Sequence, residues 1–360
     1  MKKRFCALIL LFALVFTLVA SLSSCGEKYE PVESTAEEKR TVMQISYDGE
    51  KYEVRYELYR ALFLELKPAV DGGNSEVWSG ADKDKYVKAI DELIYQRIAE
   101  IYAIFHMCEK ADINVYSSDF DDKIEEIIES TVDSDYFGGN YDKYLASLKE
   151  MNHNYATQEL MLRYELAREA LASYYMGGFA DESLEENAEI GQIKYTKDDV
   201  KKFYFDEEKS RQVIIMQLDE NYTKKERAVE IRNTLASKAN ENDAMYYIGS
   251  IIGSPPIEVI GKYSHDKFYY SDITDAAFSL ELGQASEVIT LRTDDFDGYA
   301  IVYRIEKTEE RFEDAYSEIV LSYIYNEFGR KIEATRAEIA KAIAPTDTLS
   351  KLDRSKVTMN

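Results

Sequence analysis

The residues best suited to chemistry in this 360-residue chain are few and scattered. His106, His153 and His265 stand far apart, and none has a second ligand beside it at metal-binding spacing, so no zinc centre is expected. The run SSDFDDKIEE at 117–126 is rich in carboxylates but lacks the glycine and the ligand spacing of a calcium loop. It reads as a helix start, with Ser117 or Ser118 as the cap and acids favouring the first turn. Neither a metal nor a small-molecule cofactor is expected. Of the three cysteines, Cys6 and Cys25 lie near the N-terminus and Cys108 lies on the apolar face of a helix. Cys108 therefore reads as a buried structural thiol, and no internal disulfide is expected.

Cys25 is the exception, because its surroundings specify a reaction. Lys2, Lys3 and Arg4 precede an apolar run from Phe5 to Ala20, and Leu22-Ser23-Ser24 leads into Cys25. Basic residues, a short apolar stretch and small residues in that order make a secretory signal, and the run is short for a hydrocarbon core of about 30 Å. The Leu-Ser-Ser-Cys segment resembles the bacterial lipobox. That resemblance implies lipidation of the Cys25 thiol and cleavage before it. Acyl chains contribute about 0.8 kcal/mol per buried CH₂, so two or three of them anchor a protein stably. The expected location is extracytoplasmic, on a bacterial membrane. Residues 28–40, KYEPVESTAEEKR, are polar and aperiodic, as a flexible tether would be.

The elements that must position any site fall into two kinds. Asp48-Gly49 centres a hairpin over 42–54, because that pair supplies the positive φ of a two-residue turn. A helix from Tyr56 to Leu66 should end before Pro68. Val87, Ile90, Ile94, Ile98, Ile101, Phe105 and Cys108 make one apolar stripe over 83–110. Further helices are expected over 118–130, 141–150 and 155–175, the last stopped by Gly177-Gly178, with an acidic loop at 179–192. The pattern then changes. RQVIIMQLD at 211–219 reads as a strand, 223–237 as a helix, 272–281 as a helix, and EVITL and YAIVYRI as two strands around TDDFDG. A long helix from Arg311 to about Ala342, striped with Phe312, Tyr316, Val320, Ile324, Phe328 and Ile332, should return to the helical first half. The fold class is α+β, with a small α+β module inserted into a helical domain that the C-terminal helix completes.

Net charge is −24. The first 24 residues carry three positive charges and no negative ones, so the chain from Cys25 carries −27. Such a surface repels nucleic acid and anionic headgroups, and neither is an expected partner.

Phe278-Ser279-Leu280-Glu281-Leu282-Gly283-Gln284-Ala285-Ser286-Glu287-Val288 resembles the helix-then-turn segment of parvulin-type peptidyl-prolyl isomerases, and Gly298-Tyr299-Ala300-Ile301-Val302 resembles their following strand. The hairpin and helix at 45–66, the segment from Leu93 to Ile127 and the segment HNYATQELMLRYELAREAL are similar to the helical chaperone domain of the SurA and PrsA foldases. With the signal peptide at 1–24 and the tether at 25–40, the resemblance implies a helical chaperone domain at 41–192. It further implies a parvulin-like domain at 193–308, a C-terminal helix at 309–345 and a tail at 346–360.

The family's site departs from this chain at its polar centre. Two family histidines fall at Val213 and Ala300, and the family's Asp/Cys position falls at Glu258 or Val259. The apolar wall falls at Tyr269 and Ile273, and Phe278 is retained, so Phe278, Tyr269, Ile273 and Glu258 are the candidates for a proline pocket. No catalytic residue can be named. Prolyl isomerisation must lower a barrier of about 18–20 kcal/mol by favouring a twisted amide. Without the polar cluster the module is expected to be a weak or inactive isomerase. The resemblance implies a membrane-anchored foldase or chaperone for unfolded or newly secreted polypeptides. An alternative is a non-catalytic scaffold lipoprotein serving one dedicated partner. A solute-binding lipoprotein fits poorly, because the first half lacks alternating strands and helices.

Overall fold

The structure is a computed structural model describing residues 29–177, 187–253, 257–264, 271–292 and 296–359, with only the backbone described over 187–190. The class is α+β. Contacts divide the chain into two compact units. One ends at Leu171 and resumes at Ile332; the other runs from Ala172 to Lys331. Among the described residues no helix is long and apolar enough to cross a membrane, and no cluster of three potential ligands could hold a metal.

The first unit opens with the hairpin β1 (Thr41–Tyr47) and β2 (Glu50–Arg55), turned at Asp48-Gly49 with φ of 48° and 86°. Helices follow at Tyr56–Asp71, Lys83–Lys110, Ser118–Asp133, Tyr141–Glu150 and Tyr155–Met176. The 83–110 stripe is buried from Ile90 to Cys108. Cys108 donates to the Ala167 carbonyl at 3.4 Å, and burial pushes its thiol up to about 12. Ser117 occupies the N-cap of the 118–133 helix, but its side chain makes no capping bond.

Three expectations are corrected in this unit. The first helix does not stop before Pro68 but runs through it to Asp71. Pro68 gives up its own N–H bond to the preceding turn, but its carbonyl still accepts from Gly72 N at 3.1 Å as the helix closes. Asp71 is held by Trp78 Nε1 at 2.7 Å and Gly73 N at 2.8 Å, which fixes the helix end. Residues 29–40 make specific contacts where a free tether was expected. Tyr29 stacks on Tyr141 at 5.0 Å and donates to Asp133 at 2.8 Å, Ser34 donates to buried Glu57 at 2.5 Å, and Arg60 donates to Glu38 at 2.7 Å. The C-terminal helix also does not extend to 345. Residues Ile343–Pro345 form β9, which pairs antiparallel with β1 in a sheet of order β2-β1-β9. The tail beyond it is anchored by Arg354, which reaches Tyr59 Oη at 3.2 Å and Asp91 Oδ2 at 3.0 Å.

The second unit is built on a four-stranded antiparallel sheet of order β6-β5-β8-β7, with β5 at Ser210–Asp219, β6 at Ile257–Gly261, β7 at Ile289–Arg292 and β8 at Asp297–Arg304. Helices Lys225–Ala236 and Glu241–Ile252 cover one face through Ile214, Met216, Ala228, Ile231, Ile248 and Ile301. Helix Ser271–Ser279 covers the other. The 241–252 helix and β6 lie where the sequence shows no clear period. The helix is capped by Asn240, which accepts from Asp243 N at 3.0 Å. The acidic stretch 179–192 is not all loop: β3 (Asn187–Ile190) and β4 (Ile193–Thr196) form a hairpin, and a capped helix, Lys197–Phe205, follows.

The stripe over 311–342 belongs to two helices, Glu309–Asp314 and Tyr316–Ala342. Its first part packs within the second unit, against the 197–205 helix and the end of the 155–176 helix. Phe312 lies 5.5 Å from Tyr204, Tyr323 lies 5.5 Å from Phe203, and Phe328 lies 5.6 Å from Tyr175. Gly329 permits the closest approach, since a Cβ there would fall 1.9 Å from the Tyr263 carbonyl oxygen.

Two stability outcomes follow. Burial outweighs Arg354 and holds the Asp91 carboxyl above its usual range. Arg354→Met leaves that carboxyl buried without its cation, so urea unfolding at pH 7 should show a loss of about 3 kcal/mol. The loss should shrink as pH falls, because burial favours the protonated Asp91 carboxyl once the cation is gone. An unchanged midpoint at pH 7 would refute the anchoring role. His153 is buried with Nδ1 unpartnered, and burial lowers its pKa from 6.5 to about 4. Between those values the unfolded chain binds the extra proton, so stability falls as pH drops from 6.5 to 4, by up to about 3 kcal/mol. His153→Gln should flatten the melting profile in that window; identical wild-type and variant slopes would exclude this origin.

Candidate functional site

The register of β5 on β8 decides which side chains share a face. Val213 pairs with Arg304, Ile215 with Val302 and Gln217 with Ala300. Val213 and Ala300 therefore lie on one face of adjacent strands, under the 271–279 helix with Ile273, Ala277 and Leu280. On β6, Glu258 pairs with Val213 and Val259 with Gln212, so Glu258 and not Val259 shares that face. The turn after the helix returns the chain as the sequence pattern suggests. Gly283 takes φ 77° and donates to the Arg304 carbonyl at 3.0 Å, and Ser286 Oγ accepts from Val302 N at 2.9 Å.

This layer is a closed apolar core. Val213 and Ala300 are 0% exposed and Ile273 is 2% exposed. Val213 and Ala300 offer no proton and no hydrogen-bonding group. Ile273 packs as core. Phe278 is half-buried, and the Arg211 guanidinium lies 4.7 Å from its ring centroid. Tyr269 lies outside the described residues. The structure thus brings Phe278, Ile273, Val213, Ala300 and Glu258 to one face, and leaves two of the five as half-buried side chains, Phe278 and Glu258.

Beside Phe278 is a cluster that the sequence reading did not find. Glu207 Oε2 accepts from Arg304 Nη2 at 2.6 Å and Arg211 Nη1 at 3.0 Å, and its Oε1 is 3.3 Å from Lys307 Nζ. Burial first, then Arg211 and Arg304, push Lys307 down to about 8 against the pull of Glu207. Strand alternation puts Arg211 and Arg304 on the Val213 side. That parity was legible once the strands were drawn; the approach of Glu207 and Lys307 was not.

In the helical unit an open cleft of about 460 Å³ lies between β2 and the end of the 83–110 helix, lined among others by Tyr52, Phe105, Ile113, Val115 and Tyr116. Its rings form a ladder: Tyr52 to Tyr102 at 5.4 Å, Tyr102 to Phe105 at 5.9 Å, Phe105 to Tyr116 at 6.1 Å. Tyr116 is 63% exposed and is held from behind by Arg163, 5.1 Å from its ring centroid. Buried Arg163 donates to the Val115 carbonyl, Asp121 and Glu159, each at 2.7 Å. Tyr52 donates to Glu109 at 3.0 Å and lies 3.0 Å from His106 Nδ1. Burial, then Glu109, holds the Tyr52 hydroxyl above its ordinary range, so it stays a donor. Glu50, Glu109 and Asp112 line the cleft against one cation, Lys51. The sequence signal was present as tyrosine abundance, but no periodicity marked Tyr52 and Tyr116 as neighbours.

No family model and no curated protein matches the chain. Solved structures of PrsA foldases are similar to it. The foldase protein PrsA of Streptococcus pneumoniae is 15% identical, with 69% of this chain and 83% of that one covered at a TM-score of 0.27. PrsA of Lactococcus lactis is 14% identical over 89% of this chain and 99% of that one, with a TM-score of 0.23. PrsA of Bacillus subtilis is 13% identical over 84% and 93%, with a TM-score of 0.22.

A face whose two central positions are buried Val213 and Ala300 holds no polar group there to favour a twisted amide. Residues 26–360 at catalytic concentration should therefore leave cis/trans exchange of an X-Pro peptide unchanged in NMR exchange spectra. Acceleration that Phe278→Ala removes would show that the ring surface alone suffices.

Proposed function

We propose that this chain is a lipid-anchored, extracytoplasmic chaperone of the foldase type, binding unfolded or newly secreted polypeptides. Its helical unit holds apolar and aromatic client segments. Its parvulin-like unit is a binding module with little or no isomerase activity. The observation that carries the reading is the open aromatic cleft ending in exposed, rigidly backed Tyr116. Tyrosine gives large contact area at low conformational cost, and its hydroxyl tolerates water, which suits a surface that takes many sequences. The acidic rim at Glu50, Glu109 and Asp112 adds attraction for segments carrying lysine or arginine. The lipobox-like sequence around Cys25, outside the described residues, supports attachment at the outer side of a membrane.

The test is suppression of aggregation of an unrelated denatured protein by residues 26–360. Wild type should suppress it at near-stoichiometric amounts. Tyr116→Ala, at an exposed position, should leave the melting temperature within a few degrees and weaken client binding roughly tenfold, ~1.4 kcal/mol, as loss of an aromatic anchor does. Full suppression by Tyr116→Ala would place client binding elsewhere. No suppression by wild type would remove the general chaperone reading.

A further inference from the structure

Three cations share one carboxylate at the Phe278 end of the sheet. Glu207 is 48% exposed, while the side chains of Arg304, Arg211 and Lys307 around it are 15%, 11% and 5% exposed. Their other bonds go to neutral carbonyls: Arg304 to Leu280 O at 2.6 Å, Arg211 to Ser210 O at 3.2 Å, Lys307 to Ser210 O at 2.8 Å. Arg211 Nε is buried with no acceptor. Two nearby carboxylates have closer partners, although Asp206 also acts on Lys307 and Glu258 stands on the same face of the sheet. Asp206 lies 3.2 Å from Lys209, and Glu241 accepts from Arg311 at 2.5 Å. Among the described residues Glu207 is the carboxylate that all three cations share, in a chain whose net charge is −24.

Buried guanidiniums with spare donors are built to take carboxylates, because the planar fork matches two acceptor oxygens. Position defines the ligand further. The Arg211 guanidinium lies 4.7 Å from the Phe278 ring centroid, about the rise of one to two residues of extended chain. An anion on the cluster and an apolar group on Phe278 can therefore belong to adjacent residues of one peptide.

We propose that Arg211, Arg304 and Lys307 form a carboxylate subsite, held by Glu207 in the free protein, that takes an acidic side chain of a bound polypeptide whose neighbouring residue contacts Phe278. The subsite rests on the reading that this chain binds polypeptides, but not on the cleft at Tyr116. Glu207 acts as a resident competitor that an incoming Asp or Glu displaces. Segments with an acidic residue beside a proline or an aromatic are then the preferred ligands of this unit, complementary to the basic segments that suit the acidic cleft.

The experiment compares two labelled capped peptides, Ala-Gly-Glu-Pro-Ala-Gly and its Gln counterpart, by fluorescence anisotropy with residues 26–360 at low salt. The Glu peptide should bind about tenfold tighter, with the advantage falling as salt rises. Glu207→Gln, at a half-exposed side chain, should increase the affinity for the Glu peptide several-fold, and the Arg211 Nε–H resonance should shift on its addition. Arg304→Met should abolish the preference, with the amide NMR spectrum reporting that the fold is kept. Equal binding of the two peptides by wild type and by Glu207→Gln overturns the proposal, as does failure of both to bind. If a denatured client is still protected in that case, the chaperone reading survives the loss of the subsite. If the Glu peptide binds but no client is protected, the subsite stands and the chaperone reading falls.

Discussion

The pairing of β5 with β8 is the constraint on which the second unit depends. It runs from Val213↔Arg304 to Asp219↔Gly298 without a break in register, and both of its faces are buried. A slip of one residue would move Val213 and Ile215 to the side of the paired helices and bring Gln212 under the 271–279 helix. The ladder cannot slip without burying polar groups where apolar ones belong. The same register puts two arginines at one end of the face that carries Val213 and Ala300, and so creates the charged cluster next to Phe278. One hydrogen-bonded ladder thus sets the closed centre of the module and its charged margin together.

The closed centre has a simple physical origin. A buried polar pair must be fully satisfied or it destabilises the fold. Val213 and Ala300 need no partners, so the layer between sheet and helix packs without them. Thr274 on the same helix is buried with its hydroxyl unpartnered, the residual cost of an apolar layer that is not perfectly sorted. Charged groups stand at the edge, where Arg211, Arg304 and Lys307 share the Glu207 carboxylate.

What the sequence revealed follows from which signals are local. The 83–110 and 141–150 helices were legible to the residue, because the signals that mark them are local to each segment. The Asp48-Gly49 hairpin and the Gly283 turn were legible because each needs a positive φ that few residues supply. The helix at 241–252 was not, since its apolar residues, MYYIGSII, give a crowded pattern in place of a stripe. β9 was invisible for another reason. It is three residues long, and only its pairing with β1, some 300 residues away, makes it a strand. The helix through Pro68 was misjudged because the proline rule is a local preference, and the tertiary bond from Trp78 to Asp71 secures the turn beyond it. At the candidate site, Phe278, Val213 and Ala300 were placed on one face by motif order alone. Glu207 and Lys307 were not, because they come from a loop and from the residue run after a strand, and charge pairing over such distances leaves no periodic trace.

The distribution of charge sets carboxylates beside the aromatic surface of one unit and cations beside that of the other. The cleft in the helical unit combines three carboxylates with exposed tyrosine, and its one basic lining residue is Lys51. The cluster in the second unit combines three cations with a half-buried phenylalanine. Each pairs an aromatic surface, which accepts many apolar side chains, with a charge that selects the neighbour. An unfolded polypeptide carries both signs along its length, so a chain offering one site of each sign can engage separate stretches of it. Weak sites joined in one molecule gain from effective concentration wherever the client can span them. Binding of the proposed kind needs no catalytic residue, and the two central positions of this face hold Val213 and Ala300.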